Sequence, residues 1–372
     1  MKVTIIGGKL QGTEACYLAK AAGIESILID INPHAPASGL CDRFIAADVT
    51  ARDATAVEAM READFVLPAN ENDELLKAIV EICEEYGLKL AFDPKAYEIT
   101  KSKIKSDELC HTNGIPSPQY FPAGKAPYIK KPVGESGSAG VEKLDSAEDC
   151  RRIMEESGEA EYIIQEYLEG RSYSIEVIGL PGNYRTYTVT EVHVDEGYDC
   201  YMITSPVDIP QEKKEELSET AKRIAELVNL HGIMDVEVID SGGELKVLEI
   251  DARLPSQTPI AVLKTSGVNF LSELADITMY GEFRGDEANK SEEMYAVYEH
   301  YRRENGVIIQ EGEHMMSSAG PLKLEYDLFG SREVISDCSG LDSDFRGIFI
   351  NWGKTDEEVK RWRDTLLHNL KG

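Results

Sequence analysis

The stretch 233–259, IMDVEVIDSGGELKVLEIDARLPSQTP, limits what this chain can fold into more than any other. Asp235 and Glu237 stand two apart, and so do Glu249 and Asp251. Side chains two apart on a strand share a face, so each pair projects from one side. Val236, Val238, Leu248 and Ile250 then fill the other side. Ser241-Gly242-Gly243 predicts a turn and an antiparallel hairpin, which brings the two acidic faces together. That many carboxylates on one face repel strongly unless cations meet them. Arg253, again two residues on, falls on the same side and is placed to clamp a phosphate or carboxylate bidentately. Hard oxygen ligands on a rigid sheet suit Mg²⁺, which keeps water and accepts phosphate oxygens. The bland alternative is a solvated acidic face; the regular spacing beside Pro-Ser-Gln-Thr-Pro argues against it.

Two lysines upstream add cations. Lys103 lies in a Lys-rich segment that reads as one helix from about residue 99, stopping at Asn113-Gly114. Lys131 ends an apolar strand before Pro132, and alternation lets only one of Lys130 and Lys131 face a cleft. The loop 134–140, GESGSAG, is rich in glycine and exposed backbone N–H groups, as a phosphate-covering loop must be. Phosphoryl transfer needs cations around oxygens whose charge shifts in the transition state. Further on, the strand at Gln165-Glu166-Tyr167-Leu168 breaks at Gly170, which leaves backbone groups for an adenine edge. Ser174 and Glu176 share a face of the next strand.

The N-terminal part predicts a doubly wound unit over 1–92: strands at 2–6, 27–30, 44–46, 65–68 and 88–92, with helices at 10–22, 52–62 and 73–86. Its first turn is Gly-Gly-x-x-x-Gly, not the G-x-G-x-x-G dinucleotide fingerprint. Asp30 is nonetheless placed to hold a ribose, and Lys9 and Gln11 put a cation and an amide where a ligand would lie. The remainder divides into a core at 93–290, with a lid over about 120–165, and a mixed α/β region at 291–372 ending in a helix at 355–370.

Composition narrows the function. The chain has 372 residues, 39 basic and 68 acidic, for a net charge of −29. Such a surface repels phosphate backbones and anionic lipid, so neither nucleic acid nor membrane is an expected partner. A cationic small substrate is the alternative use of that field. The opening MKVTIIGGKLQG reads as strand and turn rather than a secretory signal. The seven cysteines are odd in number and lack Cys-x-x-Cys spacing, which predicts reduced thiols and a cytoplasmic setting.

In this order the pieces resemble the ATP-grasp superfamily of enzymes. Its metal motif, Glu-x-Asn with Arg two residues on, stands here as Glu249-Ile250-Asp251-Ala252-Arg253; Asp replaces Asn and adds a negative charge. GGKLQG, LPANEN, HVDEGYDCYM, GIMDVE, EIDARLPSQTP and YEH…ENGV together resemble the pyrrolysine-biosynthesis ligases within it. The resemblance implies an α/β fold with an N-terminal Rossmann-like domain and a lid. It implies an ATP- and Mg²⁺-dependent joining of 3-methyl-D-ornithine to L-lysine. It places Lys9, Asp30, Asp48, Val49, Lys103, Lys131 and Ser138 near ATP, with Gln165, Glu166, Tyr167 and Leu168 along the adenine. Asp235, Glu249 and Asp251 would hold Mg²⁺. Leu10, Gln11 and Glu71 would face lysine. Ser174, Glu176, Arg253, Ser256, Gln257, Thr258 and Glu299 would surround the ornithine-type acid. Lys131 and Arg253 would stabilise the transferring phosphoryl group. A homo-oligomer is compatible with this reading. The rivals are another ATP-grasp ligase or carboxylase, an NAD-dependent oxidoreductase built on the first unit, and a non-catalytic nucleotide binder.

Overall fold

The computed structural model describes residues 1–133, 140–157, 162–285 and 294–371. Three sheets organise it. The first is parallel, β3-β2-β1-β4, from β1 (Lys2–Ile6), β2 (Glu25–Asp30), β3 (Arg43–Ala46) and β4 (Phe65–Pro68). Helix α1 (Leu10–Ala22) connects β1 to β2, α2 (Ala54–Glu62) connects β3 to β4, and α3 (Asp73–Tyr86) follows β4. Gly23 and Gly87 close α1 and α3 in the left-handed conformation, at φ 67° and 65°, which glycine adopts without steric cost. The expected strand at 88–92 is reduced to a single bridge, Leu90 to Val66. The Val66 amide donates to the Lys89 carbonyl and the Ala91 amide donates to the Val66 carbonyl before Pro94 starts the next helix, α4 (Pro94–Thr100). The Lys-rich segment is two helices, not one. It breaks at Lys101–Ser102, where the Ser102 side chain accepts from the Lys105 amide and caps α5 (Lys103–Thr112).

The second sheet, β6-β5-β7, comprises β5 (Tyr128–Pro132), β6 (Glu142–Leu144) and β7 (Tyr162–Glu166), with α6 (Ala147–Ser157) against it. Ser138 and most of the expected phosphate-covering loop, 134–139, lie outside the described residues.

The third sheet has 11 strands. In chain order they are β8 (Arg171–Leu180), β9 (Asn183–Thr186), β10 (Thr190–Val194), β11 (Cys200–Ser205), β12 (Gly232–Ser241), β13 (Glu244–Asp251), β14 (Tyr295–Glu304), β15 (Val307–Gln310), β16 (Lys323–Tyr326), β17 (Glu333–Ser336) and β18 (Phe345–Gly353). The hairpin β12–β13 forms one edge, beside β8. Helix α7 (Gln211–Val228) covers one face of this end; Ile175, Val177, Val236, Val238, Val247 and Ile250 pack under it with Leu217, Ala221 and Ile224. Helices α8 (Thr258–Ser266) and α9 (Phe270–Tyr280) join α1 in the largest core, which bonds the first sheet to the third. Helix α10 (Asp356–Lys371) closes the far end. The cysteines are all reduced, five of them buried. Among the described residues no helix is long and apolar enough to cross a membrane.

Candidate active site

The hairpin forms as its spacing predicts, with Asp235 opposite Asp251 and Glu237 opposite Glu249. Strand β8 extends both rows, placing Glu176 opposite Asp235 and Ser174 opposite Glu237. Three adjacent strands thus carry Glu176, Asp235 and Asp251 in one row and Ser174, Glu237 and Glu249 in the next. Alternation fails at one point. A bulge after Glu237 pairs Val238 with Val247, so Leu248 is left over and leaves the core. Val247 takes the core position, 3% exposed, and Leu248 lines a cleft beside Glu249.

The charge of this face is met by cations. Arg253 reaches Asp251 at 2.9 Å, Asp235 at 3.9 Å and Glu71 at 2.7 Å. Lys103 lies 3.5 Å from Glu249. Burial pushes the carboxyls up: Glu237 to about 8, through burial and then the charge of Glu249, and Glu176 to about 7 through burial. Asp235 and Asp251 are raised as well, burial outweighing Arg253. Asp235 Oδ1 and both oxygens of Glu176 find no hydrogen-bond partner among the described residues. An all-oxygen, carboxylate-rich set with an orphaned buried oxygen fits a hard divalent cation in donor chemistry. The expected trio Asp235, Glu249 and Asp251 does not converge, however; among the described residues no three such side chains form a ligand group. Asp235 and Asp251 pair with Arg253, and Glu249 pairs with Lys103.

Two clefts flank this face. One, of about 270 Å³, is lined by Lys103, Lys131, Gln165, Glu166, Tyr167 and Leu168, with Glu237, Leu248 and Glu249 as its acidic wall. Lys131 is the lysine of its pair that faces inward; Lys130 turns to Glu142 at 3.4 Å. Burial lowers the pKa of Lys131, against the pull of Glu249 and Asp107. Glu166 is held by Lys246 at 2.6 Å. Tyr198, at the turn between β10 and β11, adds an aromatic edge facing Tyr167; its sequence context gave no sign of this.

The larger cleft, about 630 Å³, opens at the carboxyl ends of the parallel strands. Lys9, Asp30, Asp48 and Val49 line it, not the smaller cleft, so the residues expected around one nucleotide are divided between two cavities. Asp30 accepts from the Gly8 amide at 2.6 Å and the Asn32 amide at 2.8 Å, and Asp48 accepts from Thr50; both acids brace their own loops. Leu10, Gln11, Glu71, Arg253 and Ser256 share this cleft. Glu71 accepts from Gln11 Nε2 at 2.9 Å and pairs with Arg253, linking the first sheet to the carboxylate face. Ser174, Glu176, Gln257 and Thr258 are buried behind the cleft walls. Glu299 is not in either cleft. It is fully buried and held by Arg363 at 2.9 Å, with Tyr301 and Gln310 donating to it. Its cationic partner comes from the C-terminal helix. Glu313, His314 and Ser317 line the larger cleft unannounced, because their segment shows neither strand nor helix periodicity.

The ATP-grasp domain family matches residues 100–257. The biotin carboxylase of Campylobacter jejuni superposes with a TM-score of 0.76 at 15% identity, covering 100% of this chain and 95% of that one. The fold is that of the biotin carboxylase, and the carboxylate hairpin and the lysines of the smaller cleft lie within the segment that matches the ATP-grasp domain. Among curated relatives, 3-methyl-D-ornithine–L-lysine ligase of Methanosarcina acetivorans is 37% identical over 99% of this chain and 97% of its own length. That of Methanosarcina mazei is 36% identical over 99% and 95%. The chain belongs to this family of ATP-grasp ligases.

Proposed function

We propose that this chain joins the carboxylate of 3-methyl-D-ornithine to the ε-amine of L-lysine, consuming ATP. The observation that carries the reading is the double row of carboxylates, with Arg253, standing between a lysine-lined cleft and a larger one. The names of the relatives supply the two amino acids.

ATP occupies the smaller cleft, its base along Gln165, Glu166, Tyr167 and Leu168 and its phosphates toward Lys103 and Lys131. Asp235, Glu249 and Asp251 would have to turn toward one another to hold Mg²⁺, which would supply a Lewis acid that offsets phosphate charge. Arg253 orients the ornithine-type carboxylate. An oxygen of that carboxylate attacks the γ-phosphorus, the bond from the γ-phosphorus to the bridging oxygen breaks, and ADP leaves. Lys131 and Arg253 stabilise the charge on the transferring group. The lysine nitrogen then attacks the acyl carbon, the C–O bond to phosphate breaks, and an amide, phosphate and a proton result. Free lysine has an amine pKa of about 10.4, so the proton must be removed before or during attack. Leu10, Gln11 and Glu71 receive lysine on the first-sheet side. Water is excluded because it would hydrolyse the acyl phosphate.

The test is ADP release with both amino acids and with each omitted in turn. Release that requires both supports the reading. Release with another acid–amine pair and not with this one would reassign the substrates within the ligase class. Binding of nucleotide without turnover would leave a binding protein.

A further inference from the structure

The larger cleft carries an acidic group that the proposed reaction does not use. Glu313 opens a short helical turn, Glu313–Ser318, in the C-terminal third of the chain, and lines the cleft that also holds Arg253 and Ser256. Burial raises the pKa of its carboxyl, against the hydrogen bonding of Gln257 and Ser256, and its Oε2 is buried with no hydrogen-bond partner among the described residues. Gln257 is 4% exposed, and its Oε1 likewise lacks a partner there. A carboxyl on the cleft wall with one oxygen unmatched calls for a donor-rich partner.

The position of Glu313 is fixed from behind. Asp199 accepts from the His314 amide at 3.2 Å and pairs with the His314 ring at 2.8 Å. Gly312 has no room for a side chain, since a Cβ there would fall 2.0 Å from the Asp199 carboxyl. The turn is thereby held against the β10–β11 connection.

We propose that Glu313 receives the side-chain ammonium of the ornithine-type substrate and so selects a diamino acid at that position. Resting on the ligase reading above, this adds the feature of the acid that is recognised. Chemistry decides between the two amino acids. The ε-nitrogen of lysine must lose its proton to react, and a carboxylate that holds it as ammonium would slow that step. The side-chain ammonium of the ornithine-type acid takes no part in bond making and can stay charged. Arg253, Ser256 and Glu313 line the same cleft, so one substrate can meet Arg253 with its carboxylate and Glu313 with its far end.

The experiment measures binding by calorimetry, in the presence of a non-hydrolysable ATP analogue. D-ornithine is compared with D-norvaline, and L-lysine with L-norleucine, in the natural protein, in Glu313→Gln and in Glu313→Asp. The natural protein is expected to prefer D-ornithine to D-norvaline at least tenfold. Glu313→Gln should abolish that preference, Glu313→Asp should keep part of it, and the lysine pair should shift less than twofold. No preference in the natural protein, a preference that survives Glu313→Gln, or an equal loss in both pairs overturns the proposal. These readouts do not require turnover, so a failure of ADP release with the two named amino acids bears on the ligase reading and leaves this one to be decided by binding.

Discussion

Glu249 stands at the wall of the smaller cleft, 3.5 Å from Lys103 and opposite Glu237. It is the carboxylate with the most exposure to that cleft's cations, and its loss removes a charge from the phosphate-binding end. Glu249→Gln is expected to lower ADP release roughly a hundredfold or more, with an unchanged far-ultraviolet circular dichroism spectrum. An active, Mg²⁺-dependent variant would remove Glu249 from the metal set. Glu71 offers a second measurement at this scale. It is bonded by Gln11 and Arg253, so Glu71→Ala should raise KM for lysine about tenfold and KM for ATP far less; equal rises would take Glu71 out of the lysine subsite. Identity at single positions was only partly legible. Asp235, Glu237, Glu249, Asp251 and Arg253 could be placed on one face because strand alternation is a local rule. Leu248 could not, because one extra residue in β13 reverses the parity of everything before it. Glu299 could not either, because its partner, Arg363, is 64 residues away.

Elements were legible where their limits are written in local chemistry. Helix α1 and strand β4 fall where the glycines and apolar runs put them. The break between α4 and α5 was missed because Ser102 acts as a cap only when its side chain turns back to the Lys105 amide. The short turn carrying Glu313, His314 and Ser317 was missed for a different reason. Its position depends on the contact of Gly312 with Asp199, more than a hundred residues upstream. Gly312→Ala is expected to destabilise the fold by about 1–3 kcal/mol through overpacking. It should also shift the turn, raising KM for the ornithine-type acid more than KM for ATP. A variant with native melting temperature and native kinetics would show that this turn does not shape the cleft.

At the scale of the whole molecule, buried titratable groups tie stability to pH. Glu14 on α1 accepts from the Ile260 amide and from Tyr298, and burial raises it from 4.5 to about 8. The folded chain therefore keeps a proton between pH 4.5 and 8 that the unfolded chain releases. Stability from this group is intact below pH 4.5 and is lost as pH rises toward 8, by up to about 4 kcal/mol. Burial lowers His300 from 6.5 to about 4, so its contribution is intact above pH 6.5 and lost as pH falls toward 4. Glu14→Gln should narrow the difference in melting temperature between pH 5 and pH 8.5; an unchanged difference would exclude Glu14 as its source. The net charge of −29 sets up a field that attracts cations. For a cationic amino acid, kcat/KM is expected to fall as salt is raised, because screening weakens attraction over distances beyond about 10 Å; a flat salt profile would separate the acidity from substrate capture. The sequence by itself determined the parallel N-terminal unit, the hairpin and its two acidic pairs, and the inward lysine of a strand, since each follows from turn chemistry and periodicities of a few residues. Only the tertiary structure decided that the residues expected around one nucleotide belong to two clefts, that Arg253 sits among Glu71, Asp235 and Asp251, and that a C-terminal turn completes the larger cleft. Those arrangements depend on how separate sheets pack on one another, and packing brings together residues that no local pattern relates.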